Sequence, residues 1–457
     1  MGTAPPRPMS TGCARRHGAA AAGVVLACWA STAEAADPLN SSNHGETSAK
    51  REAEHDKVDL VPVVGGSSDL GVGAGAIGAI TRLAPSREPF VWKVELGMFV
   101  SAKTAEREVI VPYESAFVRV TIPRLFGSGA ELMVRPGYDR ETTLGYYGLG
   151  NAAKDTSPAG ASARYFNYER LHTGFAATLR WPFVDHVAGR LNAGYMYNRL
   201  AIPPGSKVDE DSHAGQPEVR NAINPTSPHG VTLFGIGAQW DNRDSEVSSH
   251  RGSFHQIDLH VSPGGIPELP YRYAQLGASA RTFVPLVARR LTLALRVAGD
   301  VLFGNPPFYE LPRFDDTYAI GGPTGVRGIP AQRYNGKAKA LGNVEVRSEL
   351  FPFHALGKDL LFGAVAFVDA GRVWADLHAN PALDGTGIGL KVGGGGGLRV
   401  ISGDTFAVRA DIAWSPDARP LGGYFGAGQA FLRIPFIGLP AGAHAAICLS
   451  GRWGENA

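Results

Sequence analysis

The feature that most limits what this chain can fold into is a period-two alternation of apolar and polar side chains, repeated from Val58 onward. In "FHQIDLHVS", from Phe254, the residues Ile257, Leu259 and Val261 fall on one side and Gln256, Asp258, His260 and Ser262 on the other. In "LTLALRVAGDV", from Leu291, the apolar Leu291, Leu293, Leu295, Val297 and Val301 oppose Thr292, Arg296 and Asp300. "NVEVRSEL" sets Val344, Val346 and Leu350 against Asn343, Glu345, Arg347 and Glu349, and "FAVRADIAW" sets Phe406, Val408, Ile412 and Trp414 against Arg409 and Asp411. A strand sends successive side chains to opposite faces, so each segment has one greasy face and one charged face.

A soluble sandwich also alternates. Three features point elsewhere. The alternating segments run for roughly 10–16 residues, whereas soluble strands average about five or six. Their connections alternate in length. Those near Phe126, Asp185, Arg289 and Gly403 are tight, while 143–163, 202–230, 305–337 and 375–386 are long and polar. Short turns on one rim and long loops on the other mark an outer-membrane barrel. Aromatic residues near segment ends (Trp92, Trp181, Trp240, Tyr271, Tyr273, Trp374 and Trp414) are candidates for interfacial girdles. In lipid every backbone donor and acceptor needs an internal partner, so a sheet persists there only as a closed ring. The expected fold is therefore all-β: a transmembrane antiparallel barrel of about sixteen strands. The 59 glycines and the charged fraction of 19% suit many strands and tight turns. No uncharged apolar run long enough for a membrane helix occurs beyond the N-terminus.

Residues 1–35 read as a signal peptide, with Arg15 and Arg16 before "GAAAAGVVLACWA" and a small-residue cleavage site at Ala33–Ala35. "VLAC", ending at Cys28, resembles a lipoprotein box, but Leu26 is large for its place there. Residues 36–57 are polar and aperiodic, as in a disordered periplasmic linker too short to be a domain. The barrel is expected over 58–431, followed by an extension, 432–457, of no evident role. Of Cys13, Cys28 and Cys448, the first two leave with the signal peptide, so no intramolecular disulfide is expected. A net charge of +2 supplies no field for nucleic acid. No HExxH, GxSxG or phosphate-loop element occurs, so neither enzymatic activity nor a metal or cofactor is expected. Asp241, Arg243 and Asp244, in "WDNRDSEVSSHRGSF" with Gly252, read as a self-paired turn cluster at a strand end.

Several stretches arrive in a recognisable order: "VPVVGGSSDLGVGAGA" from Val61, "YYGLGN" from Tyr146, the Asp241 cluster, "GGPTGVRGI" from Gly321, "FVDAG" from Phe367, and "YFGAGQAF" ending at Phe431. Together they resemble the Omp85 superfamily, in its BamA/TamA or bacterial surface antigen D15 group, over nearly the whole mature chain. The resemblance is to members lacking POTRA domains. It implies that the loop carrying Val326, Arg327, Gly328 and Ile329, the sixth extracellular loop, folds back into the barrel. Arg327 is then expected to meet Asp369 on the inner wall, beside Phe367 and Gly371. It further implies that Tyr424, Phe425, Gly426 and Phe431 form a terminal-strand recognition signal. The chain departs from the family in two places. Ile329 stands where an aromatic is usual, and residues continue past Phe431.

The resemblance implies insertion or translocation of proteins or lipids at the outer membrane of a Gram-negative bacterium. The working part would be the seam between first and last strands, Val58–Gly66 against Gly422–Phe431. Glycines there, such as Gly65, Gly66, Gly422 and Gly423, either weaken pairing or supply curvature. The partners implied are outer-membrane lipid, an unfolded outer-membrane or secreted protein, and a separate periplasmic chain that supplies substrate binding. The alternative is a passive pore or structural barrel plugged by the loop.

Overall fold

The computed structural model describes residues 54–427, except 86, 106, 315–319, 356 and 404–405. The signal peptide, most of the linker, Phe431, the C-terminal extension and all three cysteines lie outside the described residues. In chain order the strands are β1 His55–Ser67, β2 Gly71–Ala84, β3 Arg87–Ala105, β4 Glu108–Ile110, β5 Tyr113–Ile122 and β6 Glu131–Gly145. They continue as β7 Asn167–Val184, β8 Val187–Ala201, β9 His229–Asp241, β10 Gly252–Pro263, β11 Arg272–Val287 and β12 Leu291–Gly304. The last are β13 Ala338–Ala355, β14 Lys358–Trp374, β15 Lys391–Ser402, β16 Phe406–Ser415 and β17 Ala418–Ala427. Short helices α1 Lys207–Ser212, α2 Pro217–Ala222 and α3 Pro381–Asp384 lie in the long loops. Among the described residues no helix is long and apolar enough to cross a membrane.

Apart from β4, each strand pairs antiparallel with the next, β3 with β5, and β1 pairs with β17, so the sheet closes. Of the seventeen strands, the three-residue β4 is a spur on β3, which leaves sixteen in the ring. Ring strands run from 10 residues in β5 to 19 in β3, longer than the sequence pattern suggested. The extra length comes from strand ends that extend past the alternating core.

The burial pattern is that of a barrel rather than a globule. On β10, Gln256, Asp258, His260 and Ser262 are buried while Ile257, Leu259 and Val261 are exposed. On β13, Asn343 and Glu345 are buried while Val344 and Val346 are exposed. A soluble fold would leave such an exterior facing water at great cost; a hydrocarbon exterior takes it without penalty. Trp240 and Trp414 are exposed on the outer face. Tyr271 and Tyr273, expected in the girdle, are turned inward instead. They join Tyr146, Tyr168, Leu302 and Phe308 in an apolar cluster under the long loops. Alternation assigns a face but not which face is greasy at the end of a barrel, where loops cover the mouth.

The inner wall carries charge in unusual places. Arg281 lies directly opposite Arg296, and Arg399 opposite Arg409. Like charges in register repel. Asp411 offsets the second pair, its Oδ1 accepting from Arg399 Nη1 at 2.5 Å; elsewhere on the wall Arg190 pairs with Asp258.

Candidate functional site

In the connection from β12 to β13, residues 305–337, the described segment from Ile320 lies against the inner wall. Ile320–Ile329 are buried without a break. Gly321, Gly322 and Gly328 take positive φ values of 117°, 80° and 94°. At Gly328 a second constraint acts, because a Cβ there would meet the backbone of Trp414 on β16. Glycine alone satisfies both.

Arg327 is the centre of the seat. Its Nε donates to Asp369 Oδ2 at 2.7 Å and its Nη2 to Asp369 Oδ1 at 2.8 Å, a fork on β14. Its backbone N–H adds a bond to Asp369 Oδ2 at 3.1 Å. Nη1 donates to Glu345 Oε1 on β13 at 2.6 Å and lies 3.7 Å from Asp411 Oδ2 on β16. The guanidinium carbon sits over the ring of Phe367, 3.4 Å from its centre. Planar stacking on one face and forked bonds at the edge are what a guanidinium offers and an ammonium does not. A fully buried cation is tolerated because every side is answered. Asn343 Nδ2 ties the group together, donating to Asp369 Oδ1 at 2.7 Å and to Gly325 O at 2.9 Å.

The remaining motif residues make room for the loop. Gly371 leaves space that a Cβ would take from Ile320. Val326 and Ile329 are fully buried and pack with Ile320, Tyr334, Leu341 and Val373. Ile329, the departure from the family aromatic, therefore has complete apolar cover. The run "GGGGG" supplies the closest approach: a Cβ on Gly393 of β15 would overlap the carbonyl oxygen of Arg327. We expect Gly393→Ala to lower the unfolding midpoint of the purified barrel, by about 1–3 kcal/mol in stability as for an overpacked core. Gly394→Ala, whose nearest contact is 3.5 Å away, serves as the neutral comparison in the same urea titration.

The loop also touches both sides of the seam. Gly328 N–H donates to Tyr424 Oη on β17 at 2.9 Å, and Ala331 N–H to Asp69 Oδ2, in the β1–β2 turn, at 3.1 Å. Between β1 and β17 the described ladder is short: Gly66 faces Phe425 and Ser67 faces Tyr424, and Ser68 N–H donates to Gly423 O at 3.0 Å. Among the described residues, His55–Gly65 find ladder partners only on β2. In this register the residues that Val58–Val63 would face, 428–433, lie outside the described residues, so of the seam expected over Val58–Gly66 the described pairing is the step at Gly66. Tyr424 points inward, Phe425 is exposed, and Gly426 has open space where a Cβ would sit.

The Asp241 cluster is a separate site on the opposite rim. Arg243 forks onto Asp241, Nε to Oδ1 at 2.8 Å and Nη2 to Oδ2 at 2.7 Å. Asp244 Oδ1 accepts from the backbone N–H of His250 at 2.9 Å, and Gly252 closes the turn with φ at 92°. The turn also reaches the far wall, which sequence reasoning missed. His250 Nε2 lies 2.5 Å from Glu349 Oε1 on β13, and Val247 packs with Ile401 and Ala407. Sequence reasoning likewise left out Glu345, Asp411, Asn343 and Asp69 as partners of the loop. Glu345, Asn343 and Asp411 stood on the polar side of their strands, but nothing in spacing says which lumenal acids converge on one arginine. "YYGLGN" meets the same loop, where Gly148 O accepts from Asn335 Nδ2 at 3.1 Å, and also the β14–β15 connection, where Asn151 Nδ2 donates to Gly389 O at 2.8 Å. No group of metal-ligating side chains with the right geometry occurs among the described residues.

A family model described as the Omp85 superfamily domain matches residues 114–431. No curated protein matches the sequence. Among solved structures, the fold is similar to BamA from Haemophilus ducreyi lacking POTRA domains 1–3, at 16% identity and TM-score 0.54, covering 82% of this chain and 70% of that one. It is also similar to CdiB from Escherichia coli, at 13% identity and TM-score 0.50, covering 81% of this chain and 62% of that one. At such identities the likeness is one of fold, and the chain spans less than two thirds of CdiB.

Proposed function

The chain belongs to the Omp85 superfamily, and on that premise we propose that it assists insertion or translocation of proteins or lipids at the outer membrane of a Gram-negative bacterium. The rim bearing both strand termini and the short turns faces the periplasm in this reading, and the long loops face outward. The observation that carries the proposal is the meeting of loop and seam: Gly66 and Ser67 face Phe425 and Tyr424, and the seated loop bonds to both sides, Gly328 to Tyr424 and Ala331 to Asp69. A strand edge without partners offers N–H and C=O groups to any extended segment that arrives. Beside lipid, such an edge is strongly driven to pair, because no water is present to satisfy it. An unfolded outer-membrane or secreted protein is the substrate that fits, and a separate periplasmic chain delivers it. No covalent chemistry is required: strand exchange trades one set of backbone hydrogen bonds for another.

A second reading, a passive barrel with a permanent plug, draws support from the depth of the Arg327 seat. Reconstitution separates the two. Liposomes holding the purified protein should accelerate the folding of an added, urea-unfolded outer-membrane barrel, read by its heat-dependent gel mobility. Liposomes holding a porin at equal density are the comparison. Equal folding rates in the two would favour the plugged barrel.

A further inference from the structure

We infer that the long-loop rim carries a binding site for a neutral, hydroxyl-rich ligand of mono- or disaccharide size. A cavity of about 590 Å³ opens there between α2, the start of the 305–337 connection and the loop that carries α3. Its volume lies in the usual range for small-molecule sites, about 300–1,000 Å³.

Four of its polar lining side chains stand apart from the Lys337–Asp376 pair and the α3 cap at Asn380. Glu218 and Asn221 come from α2, Asn305 follows β12, and His378 precedes α3. All four are exposed. None has a hydrogen-bond partner among the described residues, so their donors and acceptors are free for a ligand. Amides, a carboxylate and an imidazole present donors and acceptors side by side, which matches adjacent hydroxyl groups. Beneath them Leu149 and Leu311, both in the buried apolar cluster, and Leu383, packed against it, form a floor suited to the C–H face of a ring.

Charge excludes the obvious competitors. The cavity's one lysine, Lys337, is paired with Asp376 at 3.2 Å, which leaves no cation for a phosphate. Among the described residues the carboxylates do not gather into a metal-binding group. The walls are also stiff. Asp384 accepts from the N–H of Ala375 at 2.7 Å and of Asn380 at 2.9 Å, and Asn380 caps α3 through the N–H of Ala382 at 3.0 Å. On the other side Val219 and Ile223 anchor α2 in the core. A pre-formed site loses less on binding than one that must order its loops.

The test is saturation-transfer NMR on the purified barrel in lauryldimethylamine oxide, a detergent without a sugar head. The probes are N-acetylglucosamine, galactose and maltose, with glucose 6-phosphate and spermidine as charged counterparts. At least one neutral sugar is expected to bind with a dissociation constant near or below about 1 mM. The pair Asn221→Ala and Asn305→Ala should weaken it by about tenfold or more, as loss of two hydrogen bonds implies. Both positions are exposed, and unchanged heat-dependent gel mobility will show that the variant is folded. Absence of variant-sensitive binding by all three sugars overturns the inference. So does tenfold tighter binding of glucose 6-phosphate or spermidine than of any neutral sugar. Neither result bears on strand insertion at the seam.

Discussion

Arg327→Ala is expected to strip the barrel of most of its resistance to heat and urea. The substitution removes one cation and leaves Asp369 buried with the neutral Asn343 side chain donating to it, while Glu345 keeps its pair with Arg347. Breaking a buried pair by removing one partner costs about 3–5 kcal/mol, more than the pair itself contributes. Here Asp369 loses its principal donor, Glu345 loses one of its two cations, and the stacking on Phe367 is lost as well. Arg327→Lys should do little better. An ammonium can approach one carboxylate closely but cannot fork onto Asp369, reach Glu345 and lie flat on a ring together. The loop should also become accessible: limited proteolysis is expected to cut between residues 305 and 337 in the variant and not in the parent. A double-mutant cycle with Asp369→Asn isolates the interaction. The two single changes should together cost clearly more than the double change, since each strands the other's partner. Equal unfolding midpoints for parent and Arg327→Ala would remove the seat from the account.

The barrel itself was legible because its physics repeats. Each strand separately shows a greasy face and a charged face, and β10, β12, β13 and β16 display inside and outside as their sequences place them. The tight connections near Asp185 and Arg289 and the long connection 305–337 were readable from composition, since short turns and polar loops differ in residue type. The Arg327 site was only half readable. Resemblance pointed to Asp369, but the second acid, Glu345, lies 18 positions from Arg327 and on a different strand from Asp369. Lumenal contacts depend on strand register and on which neighbours are glycine, and neither is local. Phe367 is instructive in the opposite sense. An aromatic on the polar side of β14 looks like a flaw in the alternation, yet it lies under the guanidinium. Tyr271 and Tyr273 misled for a related reason: aromatics at strand ends serve a lipid girdle or a loop-covered mouth equally well, and only the loops decide.

The second large effect concerns the seam. Ser68 and Gly423 face each other where β1 meets β17, with their backbones joined by a 3.0 Å hydrogen bond. Directly opposed residues of an antiparallel pair have Cα atoms about 4.5–5.5 Å apart, within disulfide reach. Ser68 is exposed, and a Cβ at Gly423 meets nothing within 4 Å, so cysteines fit there without disturbing the ladder. Gly66 is a poor choice, because a Cβ there would overlap the carbonyl oxygen of Gly71. In a Cys448→Ser background, Ser68→Cys with Gly423→Cys should oxidise to one cross-link that closes the ring covalently. The fold and the Arg327 seat should be unaffected, since neither position contributes to them. The decisive measurement is the rate at which liposomes holding this variant fold an added outer-membrane barrel, taken oxidised and then after reduction. The expected result is a rate no faster than that of porin liposomes when oxidised, and recovery to the parent rate on reduction. An oxidised variant, verified as fully cross-linked, that folds its substrate as fast as the parent would contradict the claim that the barrel works by opening between its first and last strands.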